Sequence, residues 1–245
     1  MGDNADVTED GLLGGRVRLR QPARGYRANA DTVLLAAAVE AVDDAHFLEA
    51  GCGVGGALLC VAARAPRVRV TGVERDGPMA ALARENAVLN GWADRIDVIE
   101  GDVIALDDLE TFDGVFFNPP FDDAARVPAL DPTRRGAHIA EAPIGAWIKT
   151  LVNHMRGGAA LTLIHRATAL PEILAAFEGR LGGIEAFPIF PRRGAGAKRV
   201  LARARKGARA PFTLYRGLVL HDESEATFTP EAEAIFRDGA AIAWR

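Results

Sequence analysis

Cysteine is scarce in this sequence of 245 residues, which holds only Cys52 and Cys60. The two lie too close together to staple a long loop, no partner set with zinc spacing accompanies them, and the five histidines are scattered. A disulfide-built scaffold and a metal centre are therefore not expected, and a reducing compartment is. Excess positive charge is also missing, because 29 Lys and Arg against 33 Asp and Glu leave a net charge of −4. Any contact with nucleic acid must then come from local clustering of cations. No apolar run is long enough to span a bilayer, and residues 1–10 are acidic and polar, with neither the basic nor the apolar part of a secretory signal. The expectation is a cytoplasmic protein without membrane association. Internal repeats, low-complexity tracts and linkers are lacking too.

What is present is ample apolar material, 49% of the chain, enough for the core of one α/β domain over residues 1–245. Within it, residues 1–45 read as an N-terminal extension with a helix, 46–206 as the central unit and 207–245 as a C-terminal extension. The stretch around which the rest is organised is Val115-Phe116-Phe117-Asn118-Pro119-Pro120-Phe121. A strand can run to Phe117, but prolines have no N–H for a ladder and fix φ near −65°, so pairing stops at a rigid corner. There the Asn118 amide and the Pro119 carbonyl can face one small space, with the Phe121 ring beside it. Two acceptors and a flat apolar surface suit a planar substrate with an exocyclic NH2, such as adenine N6. They would hold both amino hydrogens and stabilise positive charge as the nitrogen gains a substituent. No early general base is needed.

Residues upstream supply a second constellation. A short strand over His46–Ala50 leads into Gly51-Cys52-Gly53-Val54-Gly55-Gly56 and a helix from about Ala57 to Ala65. Strand, glycine loop and helix make a nucleotide-type site, with backbone free to approach a ligand and helix N–H groups facing it. Gly51, Gly53 and Gly56 also satisfy the dinucleotide pattern G-x-G-x-x-G, which leaves NAD open. Glu49, two residues before the loop, favours a ligand with an ammonium over a pyrophosphate. Glu74 ends a second strand (Val68–Val73), where an acid commonly holds ribose hydroxyls. Gly101-Asp102-Val103 follows a third strand over Ile96–Glu100, and Asp102 can accept from an adenine amino group. Alternating strands and helices imply right-handed crossovers and a parallel sheet, so these loops converge with Asn118 on one crevice.

The flanks complete the expectations. Residues 1–13 read as an unstructured terminus, Arg16–Arg20 as an edge strand, and Thr32–Val42 as a helix capped by Asn29 or Asp31. Asp122–His138 is a long polar stretch containing Arg134 and Arg135 and able to close over substrate. Helices are expected over Glu141–Met155 and Pro171–Leu181, with strands over Ala159–His165, Ile184–Phe190 and Val200–Arg205, the last two hairpinned. From Arg192 to Arg209 the cations Arg192, Arg193, Lys198, Arg199, Arg203, Arg205, Lys206 and Arg209 occur without one acid. Such segregation in an acidic chain predicts a phosphate-facing surface.

In this order and spacing, Glu49-x-Gly51-x-Gly53-x-Gly55, Glu74, Asp102 and Asn118-Pro119-Pro120-Phe121 resemble the class I S-adenosylmethionine-dependent methyltransferases with an N-P-P-aromatic motif. The resemblance implies a three-layer, Rossmann-like α/β fold whose seven-stranded, mostly parallel sheet has its last strand antiparallel. It implies S-adenosylmethionine bound at Glu49, Gly51, Gly53, Gly55, Glu74, Asp102, Val103 and Asn118, and a catalytic motif of Asn118, Pro119, Pro120 and Phe121 in which Asn118 and Pro119 hold the target amine. Gln21-Pro22-x-x-Gly25-Tyr26-Arg27 with Asp31 is similar to the bacterial tRNA(Val) adenine-N6 methyltransferases, which implies that Arg27 and Asp31 lie near the cofactor. Phe121 stands where many relatives have Tyr. The implied activity is N6 methylation of adenine in RNA, a tRNA anticodon loop foremost, by a monomer or homodimer whose RNA contacts are Arg134, Arg135, Arg192, Arg193, Lys198 and Arg199. Glutamine-amide methylation in a release factor, or adenine methylation in rRNA or DNA, are the alternatives.

Overall fold

The computed structural model describes residues 7–25, 27–106, 109–119, 142–222 and 227–245. Its centre is a sheet in which β3 (His46–Ala50), β4 (Arg69–Glu74), β5 (Ile96–Glu100), β6 (Phe112–Phe117) and β7 (Met155–Arg166) run parallel in the spatial order β5-β4-β3-β6-β7. Antiparallel β9 (Arg199–Arg205) pairs with β7 on one side and β8 (Gly182–Arg192) on the other. These seven strands reproduce the expected sheet with the last strand reversed. Two short strands, β10 (Thr213–Leu214) and β11 (Leu218–His221), extend it by pairing parallel to β8. The sheet therefore has nine strands. Their Leu, Val, Ile and Phe side chains alternate between two apolar layers, as buried strands require.

One layer holds Phe116, Ile164 and Leu201 under α1 (Ala30–Ala38) and α2 (Gly56–Arg64). The other holds Phe117, Leu163 and Ala202 against α4 (Ile144–Asn153) and α5 (Leu170–Phe177). Asn29 rather than Asp31 caps α1: its side chain accepts from Asp31 N at 2.8 Å while Asn29 N donates to Thr32 Oγ1 at 3.2 Å. α3 (Gly77–Leu89) starts at the Asp76 cap with Pro78 in its first turn, and α6 (Pro230–Asp238) starts at the Thr229 cap.

Residues 7–12 correct the expectation of an unstructured terminus. Val7–Leu12 forms β1, which pairs antiparallel with β2 (Val17–Pro22) in a separate two-stranded sheet, so Arg16–Arg20 does not edge the main sheet. Charge complementarity across the hairpin explains this: Glu9 meets Arg18 and Arg20, and Asp10 meets Arg27 and Gln21. The hairpin is fastened to α3 by two asparagines. Asn86 accepts from Arg20 N at 2.8 Å and donates to Arg20 O at 2.8 Å, and Asn90 does the same for Arg18 at 2.9 and 2.7 Å. Four helical residues rise about 6 Å and two strand residues about 6.6 Å, so the two amides act as successive rungs of a ladder. Asn86, fully buried, also donates to Val54 O in the glycine loop at 3.0 Å.

Candidate functional site

The glycine loop leaves β3 through a tight turn in which Gly51 N and Cys52 N both donate to Val73 O, at 2.8 and 3.0 Å. Gly51, Gly53 and Gly55 adopt φ of +69°, +54° and +86°, left-handed values that explain glycine at alternate positions. A Cβ on Gly53 would meet nothing within 4 Å, so its backbone faces open space, as a ligand cradle must. Gly55 caps α2, whose first amides point back toward the loop. Glu74 at the end of β4 accepts from Gly53 N at 2.8 Å and from Asp76 N at 2.9 Å. Asp102 follows β5, exposed and accepting from Ile104 N at 3.0 Å, with Val103 buried beside it.

Glu49 is buried, and one oxygen accepts from Leu58 N at 2.7 Å. Burial pushes its carboxyl well above the usual range, with the charge of Glu74 adding to the effect and the Leu58 bond opposing it. Burial likewise raises the thiols of Cys52 and Cys60, the latter to about 12, so neither serves as a thiolate nucleophile. Asn118, carried past the end of β6, lines a cavity of about 30 Å³ together with Thr32, Glu49, Gly51 and Gly56. Parallel pairing of Glu49 with Phe116 and of Ala50 with Phe117 brings the two sequence stretches level. The structure thus joins Glu49, Gly51 and Asn118 in one space, with Glu74 bonded across Gly53 and Pro119 buried next to Asn118. The residues fit S-adenosylmethionine: a carboxylate near the loop for its ammonium, open glycine backbone, and an acid at the second strand end for its ribose.

Arg27 and Asp31 directly precede Ala28 and Thr32, which line this cavity, and each also holds a protein partner. Arg27 turns to the hairpin, reaching Asp10 at 2.7 Å, Pro22 O at 2.7 Å and Thr8 Oγ1 at 3.0 Å. Asp31 is buried and accepts from Arg199 Nε at 2.7 Å. Pro120, Phe121, Arg134 and Arg135 lie outside the described residues. The basic stretch divides between the two edges of the sheet. Arg192 ends β8 with Arg193 after it, and Lys198 precedes Arg199, which opens antiparallel β9, so all four stand at the edge that carries Asn118. Arg203 is buried in a bidentate pair with Glu185, Arg205 meets Glu40, and Lys206 donates to the carbonyls of Val152 and Met155. For these three the expected phosphate-facing role gives way to structural pairing, because β9 runs away from the site as it proceeds. A cavity of about 570 Å³ lies at this far edge, among Glu40, Phe47, Asp113, Arg156 and Arg205. Asp113 there pairs with Arg156, Glu40 with Arg205, and Asp43 and Asp44 with Arg67, and none of the glycine-loop residues lines it.

Trp147 escaped the sequence reading. It sits on α4, stacked on Phe117 at 5.7 Å and 14°, and a Cβ on Gly51 would lie 3.1 Å from its ring. Its helical position in the sequence carries no mark of this, since only the packing of α4 under the sheet brings it to the loop.

The family profile described as methyltransferase small domain matches residues 27–131. The chain is 39% identical over 112 residues to a protein of Porphyromonas gingivalis (strain ATCC BAA-308 / W83) named tRNA1(Val) (adenine(37)-N6)-methyltransferase, covering 41% of this chain and 43% of that one. A protein of the same name from Yersinia enterocolitica is 35% identical over 98 residues, 39% of each chain. The chain thus spans about two fifths of the length of the curated relatives it matches. A crystal structure described as a predicted O-methyltransferase from Agrobacterium tumefaciens superposes with a TM-score of 0.74 at 32% identity, over 88% of this chain and 99% of that one. TrmN from Thermus thermophilus shares the fold, with a TM-score of 0.52 at 18% identity over 72% of this chain and 48% of that one. Sheet order, glycine loop and these likenesses agree, and the chain belongs to the class I S-adenosylmethionine-dependent methyltransferases.

Proposed function

We propose that this chain methylates the exocyclic N6 of an unpaired adenine in RNA, with a tRNA anticodon loop as the substrate. The observation that carries the reading is the shared cavity of Asn118, Gly51 and Glu49, which sets the Asn-Pro corner against the cofactor loop. S-adenosylmethionine, when bound, supplies an electrophilic methyl group. The Asn118 side chain and the Pro119 carbonyl hold the amino hydrogens, orient the nitrogen lone pair and stabilise the charge that grows on nitrogen. The proton leaves afterwards, from a strongly acidic ammonium, to water.

The O-methyltransferase description of the Agrobacterium protein raises a hydroxyl acceptor as a second reading. A hydroxyl requires a base to accept its proton as transfer proceeds. Among the described residues the carboxylate that lines the Asn118 cavity is Glu49, engaged by Leu58 N and pushed up by burial, and the Cys52 thiol beside it is raised by burial too. With the cofactor's ammonium beside it, Glu49 is committed as the counter-ion of that ammonium, which favours an acceptor that needs no early base, an amine. A stacked base cannot enter the corner, so the target adenine is unpaired or flipped. The names of the partial relatives and the cationic edge beside Asn118 support RNA as the carrier.

Asn118→Ala is expected to lower methyl transfer to tRNA by about 10²- to 10³-fold while calorimetry finds S-adenosylhomocysteine affinity within a factor of two. Unchanged turnover would remove Asn118 from the mechanism. Radiolabelled cofactor offered to total tRNA and to total protein from cells lacking the enzyme tests the acceptor. Label in tRNA, released as N6-methyladenosine on digestion, is the expected result; label in protein alone would instead indicate glutamine.

A further inference from the structure

Trp147 lies on the apolar stripe of α4, where Ile144, Ile148 and Leu151 are buried beside it at helical spacing. Core filling would account for a large apolar side chain there. It does not account for what the indole touches. The ring stacks on Phe117, with centres 5.7 Å apart and planes 14° from parallel. Its benzo edge reaches the first glycine of the loop: a Cβ on Gly51 would lie 3.1 Å from Cη2 and 3.4 Å from Cζ3. Gly51 therefore lacks a side chain for two reasons, its φ of +69° and the ring packed where that side chain would stand.

Phe117 is the last residue of β6 and fully buried, so its position fixes where Asn118 leaves the sheet. Ala50 stands opposite Phe117 on the neighbouring parallel strand, so the glycine loop and the Asn118 corner depart side by side. Gly51 and Asn118 both line the cavity of about 30 Å³, and among the described residues that line it Trp147 is absent. The indole thus stands behind two walls of the site, outside its lining. Productive geometry tolerates an error of about 0.5 Å, and a misplacement of about 1 Å can lower a rate on the order of 10²-fold. A rigid plane with two side-chain torsions holds such a spacing better than an aliphatic chain.

We propose that Trp147 is a positioning residue for methyl transfer, a strut that sets the spacing between the cofactor loop at Gly51 and the acceptor corner at Asn118. The inference rests on the reading of Asn118 as the acceptor corner and does not depend on RNA as the carrier.

The test compares the full chain with Trp147→Leu, Trp147→Phe and Ile148→Val. Leucine fills the core and removes the plane, whereas Ile148→Val trims the same stripe at the next residue and leaves the indole in place. Amide deuterium exchange is read first, without ligand, on peptides spanning 47–56 and 112–118. Trp147→Leu should speed exchange about threefold or more in both peptides together, and Ile148→Val in neither. Phenylalanine keeps a ring against Phe117 and falls short of Gly51, so Trp147→Phe should loosen 47–56 alone.

Methylation of tRNA at saturating cofactor is read second. In Trp147→Leu kcat should fall about ten- to a hundredfold, with KM for tRNA and calorimetric S-adenosylhomocysteine affinity within about threefold. Trp147→Phe should return kcat to within about fivefold of wild type. Ile148→Val should lower Tm and keep kcat within about twofold. Exchange in Trp147→Leu that rises in neither peptide, or in only one, overturns the strut whatever the acceptor. So does a kcat that falls no further in Trp147→Leu than in Ile148→Val. If Trp147→Leu does not fold, unchanged exchange at 47–56 in Trp147→Phe overturns it equally. A wild type that binds S-adenosylhomocysteine and methylates no tRNA overturns the RNA reading alone, and the exchange measurement then decides the strut.

Discussion

Glu49 shows how one side chain links stability, pH and ligand binding. Its carboxyl is raised in the folded protein, so protonation favours the fold. The sign follows: this contribution is fully present below the unfolded value of about 4.3 and is lost as pH rises through the raised folded value. An ammonium placed beside Glu49 reverses the shift, and binding then expels the proton. S-adenosylhomocysteine, which carries that ammonium, should bind more tightly as pH rises through the raised value. Calorimetry in two buffers of different ionisation enthalpy should find proton release of up to one per site in that window, and none for Glu49→Gln. Equal release from both proteins would place the ammonium elsewhere. At this scale Glu49, Gly51, Glu74 and Asn118 were legible in the sequence because each stands at a fixed offset from a strand end. Trp147 was not, because only the packing of α4 brings its ring to Gly51. Resemblance set Arg27 and Asp31 near the cofactor, and in the structure they adjoin Ala28 and Thr32 of the Asn118 cavity while bonding to Asp10 and Arg199.

Among elements, the glycine loop separates two kinds of constraint. Alanine at Gly51 or Gly53 must adopt a left-handed φ, at about 1–2 kcal/mol each. Gly51 adds a Cβ contact of 3.1 Å to Trp147, whereas Gly53 faces open space. Thermal melts should therefore rank Gly51→Ala below Gly53→Ala, with Gly53→Ala lower than wild type by roughly 2–8 °C. Titration with S-adenosylhomocysteine should show the converse pattern at Gly53, a loss of affinity out of proportion to its modest instability, because the space its Cβ would take is the ligand's. An inverted melting order would mean that Trp147 yields readily. Strands β3 to β9 and the helices between them could be read from apolar runs punctuated by Gly, Pro and Asn. β1 could not, since Val7–Leu12 carries too few apolar residues to show a pattern and owes its conformation to charges on its partner.

The whole molecule sorts its charge between the two edges of one sheet. Arg192, Arg193, Lys198 and Arg199 gather at the Asn118 edge, where Arg193 and Arg199 also meet Asp222 and Asp31, whereas the cations farther from it close ion pairs between strands or with the segment after α1. Arg203 is the deepest of the latter: it grips Glu185 and lies 4.1 Å from the centre of the Trp244 ring, which also meets Phe187 and Tyr215. Ile242 N donates to Ala37 O at 2.8 Å, so the segment carrying Trp244 straps α1 to β8 and β9. Trp244→Ala should cost about 2–3 kcal/mol of stability, lowering Tm by roughly 4–12 °C in a calorimetric scan, with cofactor affinity intact below the transition. A Tm within a degree of wild type would show that the strap bears no load.

The paired asparagines of α3 have a consequence for how the protein signals occupancy. Arg18 and Arg20 donate their amides to Asn90, which caps α3, and to Asn86 on its buried face, and Asn86 also grips the carbonyl of Val54. Deuterium uptake at those two arginines should thus be slow like that of α3, and it should slow further once a nucleoside settles on the loop. The hairpin becomes a remote gauge of the pocket, readable by mass spectrometry without a label on either ligand.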